Sequence, residues 1–191
     1  MSESFITKKA LSSGLKDLMK SKSFDKITIE DITSQCGLNR QTFYYHFQDK
    51  YELINWIYFN EAIGILSSDL SLETWSDRIL AMLTAMKRES GFYENALKSS
   101  GSEELERYLL SFSNELFRNL IEKIDQSRTI PVDDVNFIAQ FYSFGCVGLI
   151  ASWAKAGMTA SPESMVSHLK TLVYDSRMFA VKRYRDQNHT I

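Results

Sequence analysis

Side chains of the types that contact DNA are concentrated in residues 39–50, NRQTFYYHFQDK. Arginine and glutamine form bidentate hydrogen bonds to purine edges, and Arg40 and Gln41 stand near the start of this stretch. Tyrosine, histidine and lysine side chains bond phosphate oxygens or pack on sugars and thymine methyls. The candidates of that second kind are Tyr44, Tyr45, His46 and Lys50. These residue types predict a surface that contacts both bases and phosphates.

Two short helices are predicted to carry these side chains. The run from Thr28 to Asp31 has the form of a capping box, so a helix begins at Thr28. Gly37 ends that helix, because glycine tolerates the left-handed conformation of a helix C-terminus. Asn39 caps the next helix. The pair forms a helix-turn-helix, whose second helix enters the major groove of DNA while the first crosses the backbone.

The second of these helices has two different faces. At 100° per residue, Phe43 and Phe47 share one side, which we expect to anchor the unit to its core. Gln41, Tyr44 and Tyr45 share the opposite side. A helix-turn-helix also occurs in proteins that never touch DNA, and aromatic residues on a short helix often belong to a core. The pattern by itself therefore leaves that alternative open.

The rest of the chain predicts no enzyme, metal site or cofactor. The 191 residues carry a net charge of −2, with 8 glycines and 2 prolines. The histidines at 46, 168 and 189 have no metal-ligand spacing, and there is no glycine-rich phosphate loop. Cys36 and Cys146 form neither a CxxC motif nor a disulfide framework. A helical enzyme is the weakest interpretation.

One uncharged stretch, residues 135–154, is long enough to span a bilayer. Asn136 interrupts it, and Pro131 suits the start of a helix in a water-soluble protein. We expect a helix buried on most sides, in a bundle core or a dimer interface. Lys16 and Asp17 interrupt any apolar signal segment near the N-terminus. A cytoplasmic protein without a membrane segment is predicted.

An all-α fold is predicted, with an N-terminal three-helix DNA-binding domain at residues 1–49 and a helical dimerisation and effector domain at residues 50–191. A capping box from Asp49 to Glu52 begins a helix that should run to about Ser68. Pro131 and Pro162 each stand where a first helical residue would be. The other predicted helices lie at about 73–89, 92–97 and 103–127.

The helix after Pro131 carries a stripe of small residues, Gly145, Gly148, Ser152 and Ala156, within about 80° of one another. Such a stripe lets another helix approach closely. That helix could be an internal neighbour or a dimer mate, and isologous pairing is the commonest symmetry of dimers.

Six larger side chains are candidates for a ligand pocket. Tyr142, Cys146 and Trp153 lie beside the small-residue stripe, and they could line a cavity with Trp75, Tyr93 and Phe112. The alternative is a plain core, because apolar pockets and cores are built from the same residues.

Residues 27–54, ITIEDITSQCGLNRQTFYYHFQDKYELI, resemble the DNA-binding domain of the TetR/AcrR family of bacterial transcriptional regulators. The departures are mild: Thr33 and Cys36 stand where the family usually has alanine, and Asn39 where serine is frequent. The recurrent family motif is present as Gly37, Thr42-Phe43-Tyr44, Tyr45-His46-Phe47, Lys50 and Leu53.

The resemblance implies specific roles in binding a palindromic operator on double-stranded DNA. Arg40 and Gln41 would be the main base readers, and Thr42 and Tyr44 would contact phosphate or base. The residues expected to hold the DNA backbone are Thr28, Tyr45, His46 and Lys50.

The resemblance also implies a homodimer paired through the last two long helices, which adds Leu169 and Leu172 to the expected interface. The segments RQTFYYHFQDKYELINWI and FYSFGCVGLIASWAKAGMTASPESM are similar to a Firmicutes subgroup, the DhaS-like dihydroxyacetone kinase regulators. There, a kinase-like protein acts as co-regulator in place of a free small ligand. A transcription factor controlled by a small ligand or by such a protein is therefore predicted. The competing interpretation is a helical interaction adaptor that has lost DNA binding.

Overall fold

A computed structural model describes residues 3–67, 71, 73–100, 102–125 and 130–188. All regular secondary structure in these residues is helical, as predicted. A single 3-10 turn, Phe24–Lys26, separates the first two helices. The α-helices are α1 Glu3–Met19, α2 Ile29–Gln35, α3 Arg40–His46, α4 Lys50–Ser67, α5 Trp75–Arg88, α6 Ser90–Leu97, α7 Ser102–Ile124, α8 Val132–Lys155 and α9 Pro162–Asn188.

Helices α1 to α3, which we call the head, pack around a small apolar core. Leu11 and Leu15 of α1, Ile32 of α2 and Phe43 of α3 are all fully buried. Phe47, at the end of α3, is also buried and completes the predicted inward face. Burying each of these side chains contributes roughly 1.5–3 kcal/mol. The head is thus held by the apolar periodicity of its own helices.

Side-chain caps set the limits of α2 and α3 as predicted. Thr28 accepts a hydrogen bond from the Asp31 amide at 3.1 Å, and the Thr28 amide donates to Asp31 Oδ2 at 2.8 Å. Gly37 adopts φ +67°, the left-handed conformation that lets the chain turn sharply. Asn39 Oδ1 then accepts from the Thr42 amide at 2.8 Å. These local bonds fix the angle between the two helices of the motif.

The cap at the start of α4 differs in one bond from the predicted box. Asp49 Oδ1 accepts from the amides of Tyr51 and Glu52, each at 2.8 Å. The Glu52 carboxylate accepts from the Gln48 amide at 2.6 Å, whereas a capping box would use the amide of Asp49. Because the backbone at Asp49 is fully extended (φ −155°, ψ −179°), the Gln48 amide is the one within reach of Glu52.

Helices α5 to α9, which we call the body, follow the predicted order. Helix α7 packs along α8, α9 packs on α5, and α6 lies against α8. Pro162 is the first residue of α9, as predicted, whereas Pro131 lies one position before α8 as its N-cap. The predicted ends at Ser68 and Ser127 fall outside the described residues.

Helix α4 connects head and body and contributes to both. Leu53 and Ile57 are fully buried, and the same apolar cluster continues from α1 to Val166 of α9. The domain limit between residues 49 and 50 therefore stays a prediction, because no break in packing marks it.

Helix α4 is continuous over residues 50–67 but not regular. It is α-helical over Lys50–Tyr58, π-helical over Phe59–Ile63 and α-helical again over Gly64–Ser67. Single-turn π-bulges of this kind are rare and occur frequently at functional sites. The wider turn brings the Phe59 carbonyl oxygen to 2.8 Å from the position that a Cβ on residue 64 would occupy. Glycine is therefore required at 64 for close approach.

We expect Gly64→Ala to destabilise the protein, although alanine normally stabilises a helix. The Cβ would press on the Phe59 carbonyl oxygen, a backbone atom that cannot move aside cheaply. Gly91→Ala is the matched control, because a Cβ there meets nothing within 4 Å. The control should raise the free energy of unfolding by about 0.5–1 kcal/mol in urea denaturation. A comparable gain for Gly64→Ala would contradict the close approach.

Candidate nucleic-acid interface

The outward face of α3 exposes the polar and aromatic side chains that the sequence places there. Arg40 and Gln41 are exposed, Tyr44 is 51% exposed and Tyr45 is 83% exposed. Phe43 of the same helix is fully buried. Tyr44 packs edge-on against Phe43 at 5.8 Å, and much of both tyrosine rings stays open to a partner.

Arg40 carries a positive charge on this exposed face. The Tyr44 hydroxyl lies beside its guanidinium, one turn along α3, and raises the pKa of Arg40 above its already high value. The Glu30 carboxylate on α2 also acts on this guanidinium through its charge. The guanidinium stays charged, with planar N–H donors suited to base edges and phosphates. The effect of Glu30 has no signal in the sequence, since only the packing of α2 on α3 brings it near.

Three further residues predicted to contact DNA are His46, Thr28 and Thr42. His46 is half-buried, and its ring lies edge-on to Tyr45 at 4.9 Å. Thr28 is exposed at the start of α2. The Thr42 hydroxyl donates to Asn39 Oδ1 at 3.0 Å, so its proton already serves the cap.

Lys50 is the first residue of α4, as predicted. Its ammonium donates to three carbonyl oxygens, those of Phe24 at 2.9 Å, Asp25 at 3.2 Å and Ile27 at 2.9 Å. It also lies 4.5 Å from the centre of the Phe24 ring. Burial lowers the pKa of Lys50. All three N–H groups have partners within the protein, so this lysine ties α4 to the turn before α2.

Each of the six residues predicted to line a ligand pocket is half-buried or buried, and four of them have a defined neighbour. Tyr93 packs edge-on against Tyr58 at 4.8 Å, and Phe112 lies 6.0 Å from Phe59. Trp153 donates from its indole nitrogen to the Ala160 carbonyl at 3.0 Å. The others are Tyr142, 5.7 Å from Phe117, half-buried Cys146, whose pKa burial raises to about 11, and half-buried Trp75.

Neither of two cavities in the described part of the chain is lined by any of these six. One holds about 10 Å³ beside Phe24 and Tyr51, room for a single water molecule. The other is an open groove of about 760 Å³ between α7 and α8, lined mainly by polar side chains such as Arg107, Asn114 and Gln140. Tyr93, Trp153 and Phe112 belong to the same apolar cluster, and the pocket assignment stays a prediction.

The small-residue stripe of α8 faces solvent. Gly145, Gly148, Ser152 and Ala156 are all exposed, and a Cβ built at either glycine meets nothing within 4 Å. Leu169 of α9 is half-buried and Leu172 is 58% exposed. Further apolar side chains on the outer side of α8 are exposed as well, namely Phe137, Phe141, Phe144 and Leu149.

Helix α8 is also long and apolar enough to cross a membrane by length and composition alone. Only 28% of its most apolar stretch is buried in the single chain. The expectation of a helix buried on most sides is therefore not met by the isolated chain.

Comparison with known families agrees with the fold and the exposed α3 face. Residues 13–57 match the family model described as bacterial regulatory proteins, tetR family. Residues 73–175 match the model described as transcriptional regulator C-terminal region. The chain belongs to the TetR family of transcriptional regulators, whose members bind DNA.

Individual relatives lie within the same family. The chain is 32% identical over 94 residues to the HTH-type dhaKLM operon transcriptional activator DhaS of Lactococcus lactis subsp. lactis (strain IL1403). That match spans 49% of this chain and about half, 50%, of the curated relative.

Solved structures share the fold. That of the dihydroxyacetone kinase operon activator DhaS has a TM-score of 0.70 at 23% identity, over 90% of this chain and 96% of that chain. NalD, the secondary repressor of the MexAB-OprM multidrug efflux pump in Pseudomonas aeruginosa, has a TM-score of 0.64 at 16% identity, over 91% and 97%.

The position of Lys50 predicts that its replacement reduces stability. Lys50→Met keeps the apolar stem but removes three donors, leaving the carbonyls of Phe24 and Ile27 without them. The free energy of unfolding should fall by about 2 kcal/mol. Exposed Lys26 provides the control, and Lys26→Met should change it by less than about 0.5 kcal/mol. Equal urea midpoints for the two variants would rule out the structural role of Lys50.

Proposed function

We propose that this regulator binds a palindromic operator as a homodimer, placing α3 of each protomer in successive major grooves. The exposed face of α3 carries the proposal, since its arginine, glutamine and tyrosines have the chemistry of DNA recognition and no role in the core. Such a protein acts in the cytoplasm, where its DNA is.

Within this surface, Arg40 and Gln41 read base edges, because both are exposed at the N-terminal end of α3. Thr42 and Tyr44 contact phosphate or base beside them. Three residues hold the DNA backbone, namely Thr28, Tyr45 and His46. We leave Lys50 out of this set, because its donors are bonded within the protein.

Dimer formation is proposed through α8 and α9. Glycines at 145 and 148 leave open space on α8 for a partner helix, and the exposed phenylalanines around them supply apolar area. Leu169 and Leu172 extend this face onto α9. Covering the face would bury the apolar side of α8 that the isolated chain leaves in water.

Control by a kinase-like protein co-regulator fits the body better than control by a small ligand. Drug-sized ligands occupy enclosed, mostly apolar cavities of roughly 300–1,000 Å³. Of the two cavities described above, one holds a single water and the other is open and polar. The name of the relative DhaS, an activator of the dhaKLM operon, points to the same regulatory context.

Selection of DNA from a random-sequence double-stranded pool tests the DNA-binding proposal. The expected product is a palindrome whose half-sites lie about one helical turn apart, 34–36 Å. Absence of any enriched sequence, at low salt as well as at physiological salt, would favour the adaptor interpretation.

Tyr44→Ala should weaken binding to that selected palindrome about tenfold, equivalent to ~1.4 kcal/mol. The side chain is 51% exposed, so the urea unfolding midpoint should stay unchanged. Tyr44→Phe separates the hydroxyl, which lies beside Arg40, from the ring. Fluorescence anisotropy with labelled DNA measures the affinity, and wild-type affinity in Tyr44→Ala would exclude this residue from the interface.

The double substitution Gly145→Leu, Gly148→Leu should convert the dimer into a monomer in sedimentation velocity. Two leucines would fill the space that a partner helix needs, while a Cβ at either position clashes with nothing in the single chain. Gly91→Leu, at another open glycine on a helix, is the control and should remain dimeric. A dimer of unchanged stability in the double variant would place the interface elsewhere.

A further inference from the structure

The 3-10 turn Phe24–Lys26, between α1 and α2, is held by both the head and the body. The Phe24 side chain is fully buried, with its ring 5.3 Å from that of Tyr51 on α4. Its carbonyl accepts from Lys50 at 2.9 Å. The turn leads directly into Thr28 and α2, so any force on it is transmitted to the helix-turn-helix.

A single side chain of the body, Asn95 on α6, reaches this connection with three hydrogen bonds. Its Nδ2 donates to the carbonyl oxygens of Met19 and Lys22, each at 2.9 Å. Its Oδ1 accepts from the Phe24 amide at 3.0 Å. Both amide N–H groups and the oxygen are therefore used, and all three partners are backbone atoms of the head.

The side chain must be an amide to make this set of bonds. The C-terminal carbonyls of α1 need donors, whereas the Phe24 amide needs an acceptor. Asparagine supplies both in one planar group. Aspartate would keep the acceptor but place negative charge against two carbonyl oxygens, and leucine of similar size would leave all three groups without this partner.

Two further polar contacts cross between head and body. The Asp25 carboxylate accepts from the Ser100 hydroxyl at 2.7 Å and from the Ser100 amide at 3.1 Å, and these bonds lower the pKa of Asp25. Lys16 of α1 donates to Glu61 of α4 at 2.8 Å and also lies 3.7 Å from Glu89, the residue before α6.

We propose that Asn95 is a positioning residue that sets the orientation of the head on the body. The inference rests on the proposed function, because head orientation matters only where two heads must reach two half-sites. The shared apolar core and the bonds of Lys50 already hold the head against α4. The three bonds of Asn95 add a directional constraint at the connection between α1 and α2, so their loss loosens the orientation of α2 and α3.

The consequence for DNA binding is specific. Joining two heads at a fixed spacing raises the effective concentration of the second head. The affinity for a palindrome then exceeds that for one half-site by a factor of roughly 10²–10⁴. Loosening the heads reduces that gain without changing how one head reads one half-site. A defect in orientation therefore affects the palindrome, whereas a defect in the α3 surface affects the half-site as well.

The test compares wild type with Asn95→Leu on the palindrome selected by the wild-type protein, on its single half-site, and on versions with one or two base pairs added between half-sites. Palindrome affinity should fall about tenfold in the variant, with half-site affinity unchanged and a flatter dependence on spacing. Asn95→Asp, which keeps the Phe24 bond, should change the same quantities less. Asn60→Leu is the matched control, because Asn60 is exposed and donates only within α4, to the Trp56 carbonyl.

Unchanged palindrome affinity and spacing preference in Asn95→Leu would overturn the proposal. A parallel loss on the palindrome and the half-site would also overturn it, since that result means general damage to the head.

Hydrogen exchange without DNA separates this inference from the proposed function. In Asn95→Leu the Phe24 amide should lose protection from hydrogen exchange. The amides of Phe43, in the recognition helix α3, and of Phe47, at its end, should keep their protection. Wild-type protection at Phe24 would overturn the role of Asn95 even if the protein binds DNA. Selection that enriches no palindrome, together with the expected local loss at Phe24, would reject the proposed function and keep Asn95 as the joint between head and body.

Discussion

The ammonium group of Lys50 is the contact on which the arrangement of head and body depends. In the turn Phe24–Lys26 the Ile27 amide donates to the Phe24 carbonyl, and the carbonyls of this segment accept further donors from elsewhere. Lys50 supplies three N–H groups from the first position of α4 and places its charge over the Phe24 ring. This fixes where α4 leaves the head, and every contact between the body and the head follows from that direction. The cost is a partly desolvated cation, seen in the lowered pKa of Lys50.

The helix-turn-helix divides α3 between two functions. Phe43 is fully buried and holds the helix on the core, whereas Tyr44 and Tyr45, its neighbours in sequence, stand in water. Seven residues are enough for this division only because caps fix both ends of the helix and the fold fixes its rotation. A rotation of about 100°, one residue position, would bring Tyr44 into the place of Phe43 and move Phe43 out of the core. The exposed aromatic face is therefore a property that the core of the head enforces.

The body differs from the head in how much of it the single chain completes. The head closes its own core, but α8 keeps an apolar side in solvent and its small-residue stripe uncovered. Aromatic residues of the body also pack against those of α4, as Tyr93 does against Tyr58. Head and body share one apolar cluster, and polar contacts at the turn and at the π-helical part of α4 add to it. Polar contacts of this kind are directional, so they transmit orientation where apolar packing alone would allow sliding.

The sequence by itself determined the helical fold, the caps at Thr28 and Asn39, the turn at Gly37 and the two faces of α3, because each depends on residues within a few positions of one another. Only the packing of the helices sets the bonds of Lys50 to three carbonyls more than 20 positions away and the bonds of Asn95 to the head. This packing also decided the π-helical turn before Gly64, since the π register and the close Phe59 carbonyl leave no periodic pattern in the residues. Local hydrogen bonds and periodicity can be read along a chain, whereas the partners of a buried polar group are set by which helices the core brings together.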